Sequence, residues 1–131
     1  MRNPTIAYLA VTLVILSGCL KEPGIGGTST ITGKIYAYDY NSEMTKLRAQ
    51  YYAPDEDVYI IYGNDSVFSD HTQTSYDGTY RFEYLRPGTY TIFAYSKNLE
   101  TKLPPPLPVM KTEEILSGKQ VITLDDIVIN K

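Results

Sequence analysis

The sequence has no tryptophan, one histidine and one cysteine in 131 residues. A single thiol excludes an internal disulfide framework, and so few His and Cys exclude a zinc cluster built from them. Basic clusters are missing too: 12 Lys and Arg are scattered among 15 Asp and Glu, for a net charge of −3. Without that electrostatic footprint, nucleic acid is excluded as a partner. No glycine-rich phosphate loop and no amphipathic helical run of useful length occurs. Catalysis finds little material. His71 stands without a triad, and the adjacent carboxylates Glu113-Glu114 and Asp125-Asp126 point to opposite faces of a strand rather than form a dyad. The chain reads as a non-enzyme, with no catalytic residue and no cofactor.

What abounds is tyrosine, 13 against 3 phenylalanines, a residue suited to strands wet on one side and dry on the other. The period is two. Ile31, Gly33, Ile35 and Ala37 alternate with Thr32, Lys34, Tyr36 and Tyr38, the pattern of a half-buried strand. Asp57 to Tyr62 is a second strand, ended by Gly63-Asn64-Asp65, and a strand from about Val67 to Ser75 should pair back on it. Asp77-Gly78 precedes Thr79 to Tyr84, where alternation puts Tyr80, Phe82 and Tyr84 on one face. Arg86-Pro87-Gly88 turns the chain into Thr89 to Tyr95. Pro104, Pro105, Pro106 and Pro108 cannot donate ladder bonds and mark a loop or edge. Val109 to Ile115 rejoins the sheet, and Gln120 to Leu124 with Ile127 to Asn130 closes the domain. Strands and turns in this order predict one all-β domain, a Greek-key β-sandwich of about seven strands.

Ahead of it, Arg2, the apolar run Ile6 to Leu16 and the small pair Ser17-Gly18 form the three regions of a secretory signal. As a helix the run of about 11 residues spans roughly 16 Å, too short for a hydrocarbon core of about 30 Å. Leu16-Ser17-Gly18-Cys19 resembles the lipobox of bacterial lipoproteins. That resemblance implies cleavage before Cys19, a diacylglycerol thioether on Cys19, acylation of its new amino group, and so a membrane partner reached through lipid. The chain then divides into a signal peptide over 1–18, a lipidated N-terminus and Gly/Pro-rich flexible tether over 19–29, and the sandwich over 30–131. Leu20-Lys21-Glu22 lacks the Asp of inner-membrane retention. The expected location is therefore the cell envelope, at the outer membrane. The Lys-acidic pair also resembles surface-export signals, which implies display outside the cell.

The block from Thr74 to Ile92, with Asp77-Gly78, an aromatic strand and Leu85-Arg86-Pro87-Gly88-Thr89-Tyr90, is similar to the signature of transthyretin-like (prealbumin-like) sandwiches. That group includes carboxypeptidase regulatory-like and collagen-adhesin B-type domains. The resemblance implies their fold and a binding, spacing or stabilising role. Lys34, Asn130 and Glu83 stand where some collagen-adhesin domains form a Lys-Asn isopeptide bond. Alternation turns Lys34 and Asn130 away from the core, which argues against the bond.

Two sets of candidate site residues remain. Tyr36, Tyr38 and Tyr40 share the face opposite Ile35 and Ala37, in the simplest register an exposed stripe for binding a protein or glycan. The competing reading is a packed face covered by neighbouring chain. Asp39, Asp55, Asp57 and Asp77 lie at strand ends and offer oxygen ligands for Ca²⁺, though without EF-hand spacing. The expected function is that of a lipid-anchored, non-catalytic binding or structural module for a protein or glycan. The alternative is a subunit or accessory domain of a surface adhesin, a pilus-like assembly or an envelope enzyme complex, joined by strand addition at a free edge.

Overall fold

The structure, a computed structural model, describes residues 22–131; the leader and Cys19 lie outside them. Nine strands occur there, and no helix: β1 (Ile25–Tyr40), β2 (Leu47–Tyr52), β3 (Asp57–Tyr62), β4 (Asp70–Gln73), β5 (Thr79–Leu85), β6 (Gly88–Ser96), β7 (Leu107–Ile115), β8 (Val121–Thr123) and β9 (Ile127–Asn130).

One sheet is built around β1. Its N-terminal half pairs with antiparallel β5 and parallel β8, its C-terminal half with antiparallel β2 and parallel β9. The handover sits at Ile35, whose N–H donates to Gly78 O (3.0 Å) while its own carbonyl accepts from Ala53 N (2.9 Å). At this crossing Gly78 has φ +81°, and a Cβ there would lie 2.9 Å from Tyr52 Cβ. Only glycine meets both demands. The second sheet has the order β4-β3-β6-β7. Because β5 crosses to the first sheet and β6 returns beside β3, the four strands β3 to β6 form a Greek key.

Inner-face residues of both sheets, among them Ile31, Ile35, Val58, Ile60, Ile92 and Ile127, are fully buried in one cluster. Every member lies between residues 31 and 129. Among the described residues, both sheets and this core cluster close on themselves within one unit, the condition for a part that folds on its own.

Three features depart from the sequence expectations. First, β2 was unforeseen: five of its six residues are exposed, so no burial pattern marks it, and it is a strand because β1 offers it an edge. Second, Tyr84 does not share the inner face with Tyr80 and Phe82. It adopts φ +59° and is 66% exposed, while the bulged pairing with β1 sends Leu85 inward in its place. Third, the expected tether over 19–29 ends early, because the sheet already begins at Ile25. Backbone bonding fixes this segment despite its few apolar side chains. Gly24 N–H donates to Tyr90 Oη (2.8 Å), Arg86 N–H donates to Gly24 O (2.8 Å), and buried Ser29 donates from Oγ to Ser117 O (3.0 Å).

Candidate functional site

Along β3 and β6 the sequence is apolar at both parities, Val58-Tyr59-Ile60-Ile61 and Ile92-Phe93-Ala94-Tyr95. Alternation then sends Val58, Ile60, Ile92 and Ala94 into the core and Tyr59, Phe93 and Tyr95 to the opposite side. On that outer side His71, Tyr59, Phe93 and Met110 are successive cross-strand partners, so one row of large side chains crosses all four strands.

The rings in and around this row pack on one another. Tyr59 stacks on Phe93 at 5.1 Å and 18°, and Tyr95 stands edge-on to both at 5.5 Å. Phe68, from the turn between β3 and β4, closes on Tyr59 at 4.9 Å, with the His71 ring 6.0 Å away. Phe93 is 5% exposed although it belongs to no part of the inner core. Its cover is the aromatic layer itself. At the rim Phe68, Tyr95 and Met110 remain 47%, 45% and 52% exposed. Burial, followed by the charge of Asp57, pushes the Tyr59 phenol above its ordinary pKa, so the ring at the middle of the face stays neutral at physiological pH. None of these residues was singled out as a site from sequence. The signal was present in the two runs apolar on both faces, which mean that neither side of the sheet is fully wet.

Tyr36, Tyr38 and Tyr40 of β1 are each half-buried, rather than fully exposed. Tyr36 packs edge-on against Tyr38 (5.7 Å) and against Tyr52 of β2 (5.1 Å). Lys34 Nζ lies 4.7 Å above the Tyr52 ring, and Tyr52 Oη donates to Asp126 Oδ2 (2.9 Å). The structure therefore joins Tyr36 and Tyr38 to a strand that sequence reasoning did not see. Tyr40 lies beyond a bulge between Asp39 and itself.

The four aspartates considered for Ca²⁺ do not converge. Among the described residues no three acidic, His or Cys side chains gather as a metal site. Asp57 accepts from Gln73 Nε2 (3.1 Å), and Asp77 is committed to its own turn. There Asp77 Oδ1 accepts from Ser75 Oγ (2.6 Å) and Thr79 N (3.1 Å), with Lys34 3.9 Å away. The hydrogen bond from Ser75, then those from Thr79, hold its carboxyl down at about 2. A carboxylate depressed below its unfolded value of 3.8 adds stability above that value, and this contribution disappears as pH falls through about 2. Asp77→Asn should therefore melt below wild type at neutral pH, with the gap closing between pH 4 and 2. A gap that stays constant over that window, followed by calorimetry, would show that the turn does not depend on the charge.

His71 takes its place as an aromatic neighbour of Tyr59 (6.1 Å) and Phe68. Lys34 pairs with Thr79 of β5, whereas Asn130 pairs with Tyr38, four residues farther along β1, and Glu83 pairs with Arg81 at 3.2 Å. No isopeptide arrangement assembles from them.

Comparison with known protein families yields no matching family model, and no curated protein matches the chain. Among solved structures, one similar chain is a provisionally assigned carbohydrate-binding protein of Pseudomonas aeruginosa, at 16% identity and a TM-score of 0.49, covering 82% of this chain and 91% of that one.

Proposed function

We propose that this chain is a lipid-anchored, non-catalytic module of the cell envelope that holds a protein partner against the aromatic face of the four-stranded sheet. One observation carries the binding reading: six uncharged or weakly basic side chains, Tyr59, Phe68, His71, Phe93, Tyr95 and Met110, form a second apolar layer outside the sandwich. Aromatic residues and Met dominate the cores of protein interfaces, where charge is depleted. A sugar ring stacks on an open, flat aromatic face, whereas here Tyr59 and Phe93 stack on one another and Tyr95 and Phe68 pack against them. Protein is therefore favoured over glycan. The anchor reading rests on the leader and on Leu16-Ser17-Gly18-Cys19.

A photocrosslinking side chain at Phe68 should give a discrete adduct in intact cells, and one at Tyr76, which is 90% exposed on a turn, should not. With the purified partner, Phe68→Ser combined with Tyr95→Ser should weaken binding by about 30-fold, the cost of losing a hot spot of about 2 kcal/mol. Both rings also cover Tyr59 and Phe93, so the melting temperature should fall somewhat, and binding is read well below it, where the variant is still folded. Tyr38→Ser with Tyr40→Ser is the matching test of the β1 stripe as a contact surface. No adduct at Phe68, or capture unaffected by the double substitution, would sink the reading; glycan binding lost in that variant would reassign the partner. A second reading draws on β7, nine residues long at the end of the sheet order. Strand addition there would give the adduct at Thr112 instead of Phe68.

A further inference from the structure

We propose that the cleft at the far pole of the sandwich, between the β1–β2 turn and the β6–β7 loop, is a binding site for a small apolar carboxylate. This site is separate from the aromatic face and does not depend on what that face binds.

The cleft measures about 340 Å³ and is walled by Met44, Leu103, Pro104 and Pro106 together with Lys97 and Lys102. That is the size and composition of a small-molecule site: mostly apolar, with a few polar groups. Lysines that line an apolar wall do so with their methylene stems, which leaves the ammonium groups at the mouth. Two cations and no carboxylate line the cleft, in a chain whose net charge is −3. Glu43 and Glu100 of the same two loops are exposed and are not part of its wall. The local charge thus selects an anion, and the wall selects an apolar body.

Both walls are held in place before any ligand arrives. Asn41 Oδ1 accepts from Thr45 N (2.8 Å) and Lys46 N (3.0 Å), closing a turn in which Met44, at φ +58°, is only 8% exposed. Across the cleft Asn98 Oδ1 accepts from Glu100 N (2.9 Å) and Thr101 N (3.3 Å), while Lys102 N–H donates to Asn98 O (2.9 Å). With its oxygen engaged in that turn, Asn98 presents its amide nitrogen as a donor for a carboxylate. Lys97 is anchored at its backbone, N–H to Asn130 O (2.9 Å). Preformed walls spare a ligand the cost of ordering them.

The test uses residues 22–131, which hold both sheets and the core, with labelled methyl groups observed by NMR during titration with 4-phenylbutyrate. The Met44 and Leu103 methyl resonances should shift saturably, and 4-phenylbutanol, the neutral analogue, should bind about threefold more weakly, the scale of an exposed ion pair. In Lys97→Gln/Lys102→Gln the acid should fall to the affinity of the alcohol, with the alcohol unchanged. Leu103 is 68% exposed, so Leu103→Asp should remove binding of both without lowering the melting temperature. The proposal is overturned by an absence of shifts at Met44 and Leu103, by equal affinity of acid and alcohol for wild type, or by shifts centred on Tyr59 and Phe68.

Discussion

Placed behind an ordinary secretory leader, the Cys19→Ala protein is expected in the soluble fraction, while the wild-type chain stays with the membrane. Each buried CH₂ of an acyl chain contributes about 0.8 kcal/mol, so one chain gives marginal, reversible binding, and the diacylglycerol plus amide-linked acyl group of a lipoprotein leaves almost none free. The effect should therefore be close to all-or-none. Mass spectrometry of protein from its own host should find a chain starting at Cys19 and heavier than 19–131 by those groups. An unmodified thiol at that position, or a retained leader, would overturn the anchor. The anchor also carries a geometric consequence. Three residues lie between Cys19 and Pro23, a reach of at most about 14 Å over the four steps, and from Gly24 onward the chain is bonded to the domain. With Cys19 acylated as proposed, the pole that contains Gly63 and Gly88, against which Pro23 packs, would be held near the bilayer. The lysine-rimmed cleft lies at the other end of β1, up to about 50 Å away.

How much of this was legible in the sequence depended on whether a residue's environment is set locally. The run from Ile31 to Ala37 alternates because its own strand decides both faces, and β3 has the bounds its sequence suggests, Asp57–Tyr62. The turn at Asp77-Gly78 is equally local, since its carboxylate and its positive φ act within four residues. Where the partner decides, pattern fails. β2 is a strand only through β1, Tyr84 leaves the inner face because a bulge forms opposite Ser29, and Pro23-Gly24 joins the domain through a tyrosine 66 residues away. For the candidate site the same division applies. The tyrosines of β1 could be placed on one face by counting, whereas the layer around Phe93 needs the register of four strands, and Phe68 reaches it from a turn.

Two buried tyrosines on opposite sheets make the sharpest test of this packing, because the same substitution should act with opposite sign. The Tyr90 hydroxyl is a junction: it accepts from Gly24 N (2.8 Å) and donates to Arg86 O (2.6 Å), tying the entry of β1 to the turn before β6. Tyr90→Phe removes both bonds and strands a backbone donor and an acceptor in a buried site. The expected loss is about 2–3 kcal/mol in urea denaturation at pH 7. Tyr80 differs. Its hydroxyl is buried without a hydrogen-bond partner, in the space left by the missing side chain of Gly33, where a Cβ would lie 2.4 Å from it. Burial drives its phenol pKa well upward, so the group stays neutral and its dipole unmet. Tyr80→Phe deletes that unmet group and should raise stability by about 1 kcal/mol. A neutral Tyr90→Phe would mean that Gly24 is not held by the domain, and with it would go the short reach between anchor and sandwich. A destabilising Tyr80→Phe would mean that its hydroxyl is bonded, for example through a buried water.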